Sequence, residues 1–266
     1  MRNIMSYFTV FKMRLRMELQ YRGAMIGGIL CQMFFGLILV ALYRALYDSK
    51  PQTMPIESVA TYVWLQQAFF RMMLASDSEL ADKIRSGDIA YDMCRPVDMY
   101  GFYYARIMAQ KLMGSLMRAV PMLVVAFLLP RGWGISLPDS FMGLLAALPA
   151  LLLGLFCVCA LENITVAFTM KTLDPRGMQG LLNLLMITLS GNLFPLTLFP
   201  ESWQRVLKFF PYAQLLDAPI RLYTGEYAPS DAFGVYALQA FWVMALIALG
   251  VGMWNANKKR MIVQGG

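Results

Sequence analysis

Apolar runs long enough to cross a bilayer alternate along this chain with short charged or proline-bearing segments. A helix rises about 1.5 Å per residue, so roughly 20 apolar residues span the hydrocarbon core. On that measure the pattern predicts spans over 24–47, 58–75, 112–130, 141–170, 178–198 and 232–254. The second is interrupted by Gln66, Gln67 and Arg71, and polar groups at such depth are expected to face protein or a cavity. Ahead of the first span, Ile4, Tyr7, Phe8, Phe11, Leu15 and Leu19 recur at helical spacing, with Lys12, Arg14 and Arg16 on the flanks and opposite side. An apolar stripe bordered by cations predicts an interfacial helix lying on an anionic leaflet. The chain therefore divides into an amphipathic segment, 1–23, and an all-α domain of six transmembrane helices, 24–266.

Composition agrees with this reading and narrows it. The 266 residues are 59% hydrophobic and 15% charged, against about 45–50% and 25% in soluble domains. Six spans leave no contiguous stretch for a soluble catalytic domain of about 100 residues or more. Histidine is absent, which removes His-dependent triads and His zinc sites. Cys31, Cys94, Cys157 and Cys159 all fall in or beside spans and define no external disulfide framework. No Gly-Lys pair occurs, so a phosphate-cradling loop for ATP is missing. An enzyme is not expected.

The net charge of +7 records topology rather than nucleic-acid binding. Fifteen cations, among them Arg14, Lys83, Lys171 and Lys258–Arg260, lie on pieces that an even number of crossings assigns to the cytoplasm; Arg44, Lys50, Arg131, Arg205, Lys208 and Arg221 lie outside. This bias predicts a multi-pass protein of a bacterial cytoplasmic membrane with both termini inside.

Two connections are unlike ordinary loops. Between spans two and three, Ser76 or Asp77 can cap a short helix with Glu79 in its first turn, Lys83 and Arg85 towards its end and Gly87 closing it. Leu80, Ala81 and Ile84 form its apolar strip, Asp88 follows, and Arg95-Pro96 breaks the chain before the next helix. A capped helix with such a strip predicts a contact surface for a soluble partner. Between spans five and six, Pro195, Pro200, Pro211, Pro219 and Pro229 punctuate apolar runs too short to cross. These predict two short helices dipping into the outer leaflet.

Glu162 and Asn163 are a further candidate site. Either span four continues past Glu162, which then faces a cavity or a cation such as Arg118, or the helix ends there and leaves Glu162 at the interface.

The order of these segments resembles the membrane subunits of ABC-2 type ABC transporters. Ile84-Arg-Ser-Gly-Asp-Ile89 followed by Arg95-Pro-Val-Asp98 is similar to that family's segment after span two. Phe199-Pro-Glu-Ser-Trp203, with Pro211 and Arg221, is similar to its hairpin before the last span. The resemblance implies that Asp77, Glu79, Leu80, Lys83, Ile84, Arg85, Gly87, Asp88 and Arg95 couple to an ATPase. It implies that Pro200, Trp203, Pro211 and Arg221 belong to an external gate hairpin. ATP and Mg would then be held by separate ABC ATPase subunits and no cofactor by this chain. A second permease, identical or related, would complete the path for an exported amphipathic or lipid-like substrate. The competing expectation is an ATP-independent membrane transporter or scaffold, although the internal repeats and midplane ionisable clusters of secondary transporters are not evident.

Overall fold

The computed structural model describes residues 2–20, 22–49, 54–74, 78–192 and 194–258, and among them every regular element is helical. In chain order these are α1 (Arg2–Glu18), α2 (Arg22–Ser49), α3 (Ile56–Met73), α4 (Ser78–Ser86), α5 (Ile89–Met93), α6 (Met99–Leu128), α7 (Phe141–Thr172), α8 (Arg176–Leu189), α9 (Glu201–Leu207), α10 (Asp217–Thr224) and α11 (Ala232–Lys258). Four stretches are long and apolar enough to cross a membrane: Met25–Asp48, Met99–Leu128, Phe141–Thr172 and Pro229–Lys258.

Helix α7 is the centre of the bundle. It packs most extensively on α11, and also on α6 and α10. Its inward residues from Leu155 to Ala167 join Tyr62, Ile107, Leu216 and Trp254 in one apolar core. Gly154 lies against the Leu215 carbonyl, where a Cβ would collide with the backbone. That position admits the segment before α10 into close contact with the bundle. Helix α2 instead buries only a narrow stripe, Gln32, Gly36, Val40 and Tyr43, with Gly36 against Trp64 of α3. Its other faces expose Ile26, Leu30, Phe34, Ile38, Leu42 and Leu46, an apolar surface suited to lipid rather than water.

Three helix boundaries bear on the spans read from the sequence. Helix α6 starts at Met99, because Asp98 accepts a hydrogen bond from the Gly101 amide at 2.7 Å and caps the helix well before its apolar part begins. Helix α7 does not end near Glu162 but continues a further ten residues, to Leu173 in the left-handed conformation. Helix α8 stops at Leu189, short of the expected 198: Ser190 caps it, Gly191 turns with φ +79°, and Pro195 opens a 3-10 turn over Leu196–Leu198. At 14 residues, or roughly 21 Å, α8 alone is shorter than the hydrocarbon core.

Helix α1 rests on α6. Tyr7 reaches the Asp98 carbonyl at 3.4 Å, and Tyr7 and Val10 pack against the core, while Met5, Phe8, Met13 and Met17 stay exposed. The stripe read from the sequence is thus divided: Tyr7, Phe11 and Leu15 turn partly inward, and Phe8 and Leu19 outward. The side chain of Ile4 lies outside the described residues.

Candidate functional site

Helices α4 and α5 lie across the end of the bundle formed by the carboxy-terminal turn of α3, the start of α6 and the last turns of α7. The apolar strip of α4 points into the protein: Leu80, Ala81 and Ile84 are all buried, with Ala81 and Ile84 facing Glu162, Thr165 and Thr169 of α7. Its residues were expected to meet a partner, but this chain covers them. The strip is apolar because it seats the helix on its own bundle, which is where the hydrophobic effect is satisfied.

Ion pairs hold the polar edge. Glu79 accepts from Arg14 of α1 at 2.9 Å and pairs with Arg106 of α6 at 2.6 Å. Burial raises the Glu79 pKa, but Arg106 and Arg14 outweigh it and hold the carboxyl below its ordinary range. Asp92 of α5 is buried and accepts from Lys83 at 3.0 Å and from the Tyr103 hydroxyl at 2.9 Å, with Arg95 at 3.3 Å. Here too burial pushes the pKa up, and Lys83, Tyr103 and Arg95 together bring it below the ordinary value. Gly87 closes α4 with φ +84°, and Asp88 accepts from the Ser86 hydroxyl at 2.7 Å. Among the residues exposed on this platform are Asp82, Arg85, Asp88, Tyr91, Cys94 and Arg95, with Tyr91 78% exposed. Asp77 lies outside the described residues.

One turn into the bundle is a buried ion pair. Glu162 Oε2 lies 2.5 Å from Lys111 Nζ, and the two side chains are only 4% and 1% exposed. Lys111 also donates to the carbonyls of Met72 at 3.1 Å and Leu74 at 2.9 Å, which are orphan acceptors at the end of α3. A single ammonium therefore ties together α3, α6 and α7. Arg118, proposed from the sequence as the partner of Glu162, is not paired with it; its guanidinium lies over Gly28 of α2. The register of α6 puts Lys111 beside Gln110 among its buried residues. Asn163 is fully buried, donates to the Cys159 carbonyl at 3.1 Å, and its Oδ1 has no partner among the described residues.

At the opposite end, the segment before α11 is pinned by a second buried network. Tyr62 of α3 donates to Asp217 Oδ1 at 2.5 Å, and Arg221 Nε lies 2.8 Å from Asp217 Oδ2. Gln66 donates to the Tyr62 hydroxyl at 3.3 Å and to the Ser190 carbonyl at 3.1 Å, and accepts from Asn192 at 3.3 Å. Arg221 also donates to Gln204 of α9 at 3.3 Å and lies over the Tyr227 ring. Asp217 and Arg221, expected from the sequence to face the outside water or a partner subunit, are instead buried and paired with each other, and Tyr62 is a companion the sequence did not signal. Pro200 sets the first turn of α9, Pro211 is buried in the turn before α10, and Trp203 is 61% exposed on the outer face. These three do not meet Arg221 in one cluster; α9 reaches it through Gln204.

Among the described residues no group of His, Cys, Asp and Glu could hold a metal ion. A family model described as ABC-2 family transporter protein matches residues 37–265 of the chain. That match begins within α2 and runs through all later helices. Among curated proteins there is no match to the chain.

Proposed function

Because the chain belongs to the ABC-2 transporter family, as a multi-pass membrane permease, we propose that it is the transmembrane subunit of an ATP-driven exporter, energised by separate ABC ATPase subunits. The observation that carries this reading is the α4–α5 platform. It is anchored by ion pairs to α1 and α6 and seated on α7, yet keeps Asp82, Arg85, Tyr91 and Arg95 facing outward. A push on that exposed face would be passed through Ile84 to the Glu162 turn of α7. Glu79, Leu80, Lys83, Ile84 and Gly87 then hold and shape the coupling element, while Arg85, Asp88 and Arg95 meet the ATPase.

In this arrangement α2, α3, α6, α7, α8 with the 190–198 turn, and α11 make six crossings. The platform and both chain ends lie in the cytoplasm, and α9 and α10 in the outer leaflet. The excess of cations at the platform end supports that orientation. The Tyr62–Asp217–Arg221 network would hold the outer hairpin closed against α3. Two permeases, identical or related, would enclose the path for an amphipathic or lipid-like substrate. ATP binding must then favour one state of the pair over the other for work to be done.

The test is copurification with a candidate ABC ATPase subunit, followed by ATP hydrolysis in lipid vesicles. Tyr91→Ala with Arg85→Glu is expected to lose the ATPase while the permease keeps its thermal stability. Retained copurification and full hydrolysis in that variant would remove the platform as the docking surface.

A further inference from the structure

Two arginines sit inside the helices that form the membrane domain. Arg71 lies near the end of α3 and Arg118 two-thirds of the way along α6. The Arg71 chain lies against Gly114, one turn before Arg118, so the two cations share one stretch of α6. Among the described residues neither makes an ion pair or a hydrogen bond, and Glu18 is itself engaged by Arg14 at 3.5 Å. Both are half-buried. The helices are cut to fit them: Gly28 of α2 lies directly under the Arg118 guanidinium, where a Cβ would stand 2.7 Å from Cζ, and Gly114 of α6 lies beside the Arg71 chain.

A guanidinium stays charged under any relevant condition, so at membrane depth it requires an anion or water. Two further groups are left open nearby. Ser115, one turn from Arg118, and Gln32, one turn from Gly28, are both more than nine-tenths buried; Ser115 Oγ and Gln32 Oε1 have no partner. Arg118 thus reaches α2 at Gly28 and Arg71 reaches α6 at Gly114, with Gln32 one turn from the first contact and Ser115 beside the second. Guanidinium groups recognise phosphate through paired charge-assisted hydrogen bonds.

We propose that this cleft binds the phosphate headgroup of an anionic amphipath entering from the adjoining leaflet, with Arg71 and Arg118 on the phosphate and Ser115 and Gln32 on neighbouring headgroup oxygens or hydroxyls. The headgroup can belong to a resident membrane phospholipid or to the transported molecule. Only the second case rests on the exporter reading.

Phosphatidylglycerol and phosphatidylcholine serve as probes, with native mass spectrometry of the purified permease counting retained lipid. The wild type is expected to retain phosphatidylglycerol at least about tenfold more strongly than phosphatidylcholine, and Arg71→Gln with Arg118→Gln to lose that preference. Gly28→Ala keeps both charges but must displace the Arg118 guanidinium, so it is expected to weaken retention severalfold and provides the test should the double variant not fold. Equal retention of the two lipids by the wild type, or a preference unchanged in a folded variant, would overturn the site. A second arm separates the sources. Phosphatidylglycerol that raises ATP hydrolysis of the assembled complex saturably, and only with both arginines present, marks the site as a cargo entrance; retention without that effect marks a resident lipid.

Discussion

Lys111 Nζ sits 2.5 Å from Glu162 Oε2 and caps two carbonyls at the end of α3 in the same stroke. The pair therefore joins three helices beneath the α4–α5 platform, and its two members are not equivalent.

Removing either partner leaves a buried charge without its counterion, a loss of about 3–5 kcal/mol when the pair is fully desolvated. Lys111→Met also uncaps α3, whereas Glu162→Gln can still accept from the lysine, which keeps its two carbonyls. Lys111→Met should lower the unfolding temperature in detergent more than Glu162→Gln. The double variant should be less destabilised than the sum of the singles, because each then removes a charge the other leaves orphaned. Additive losses would show that the pair is not coupled. A Glu162→Gln protein that assembles and transports normally would confine Glu162 to a structural role.

Leu80 and Tyr91 separate folding from docking. Leu80 is buried and Tyr91 is 78% exposed on the same platform. Leu80→Ala should cost about 2–5 kcal/mol of stability by leaving a cavity. Tyr91→Ala should leave the unfolding temperature within experimental scatter and weaken association with the ATPase.

The acid limb of stability should trace to the platform. Glu79 and Asp92 have folded-state pKa values below their unfolded ones, so their stabilisation is complete above the ordinary carboxylate range, near pH 4. It is lost as pH falls through the depressed values. Asp92→Asn should flatten the fall in unfolding temperature below about pH 4 relative to wild type, with little change in slope between pH 6 and 8. An unchanged acid limb would place the sensitive carboxylates elsewhere.

At the other end, Tyr62→Phe deletes the hydroxyl that Asp217 and Gln66 share. A buried carboxylate deprived of one donor should cost about 1–3 kcal/mol. Gly191→Ala should cost more: φ is +79° there, and the added methyl would run into the Tyr62 hydroxyl. If the network holds the outer hairpin shut, Tyr62→Phe should also raise basal ATP hydrolysis of the assembled complex, measured without added substrate.

The helices were legible in the sequence because bilayer-length apolar runs and capping residues are local signals. Gly87 and Pro200 each act within a turn of where they stand. The partners of charged groups were not legible. Arg118 and Lys111 lie seven residues apart on α6, two turns and nearly the same face, so spacing alone could not say which of them meets Glu162. The same limit applies to the apolar strip of α4, whose periodicity announces a contact but not its owner. Composition and hydrophobic pattern determined that this chain is a helical membrane protein. Tertiary packing alone decided that Leu80 and Ile84 face inward, that Lys111 joins α3 and α6 to α7, and that Arg118 lies against Gly28 and Arg71 against Gly114. Burial and pairing depend on how distant helices approach, and that distance is not written in any one of them.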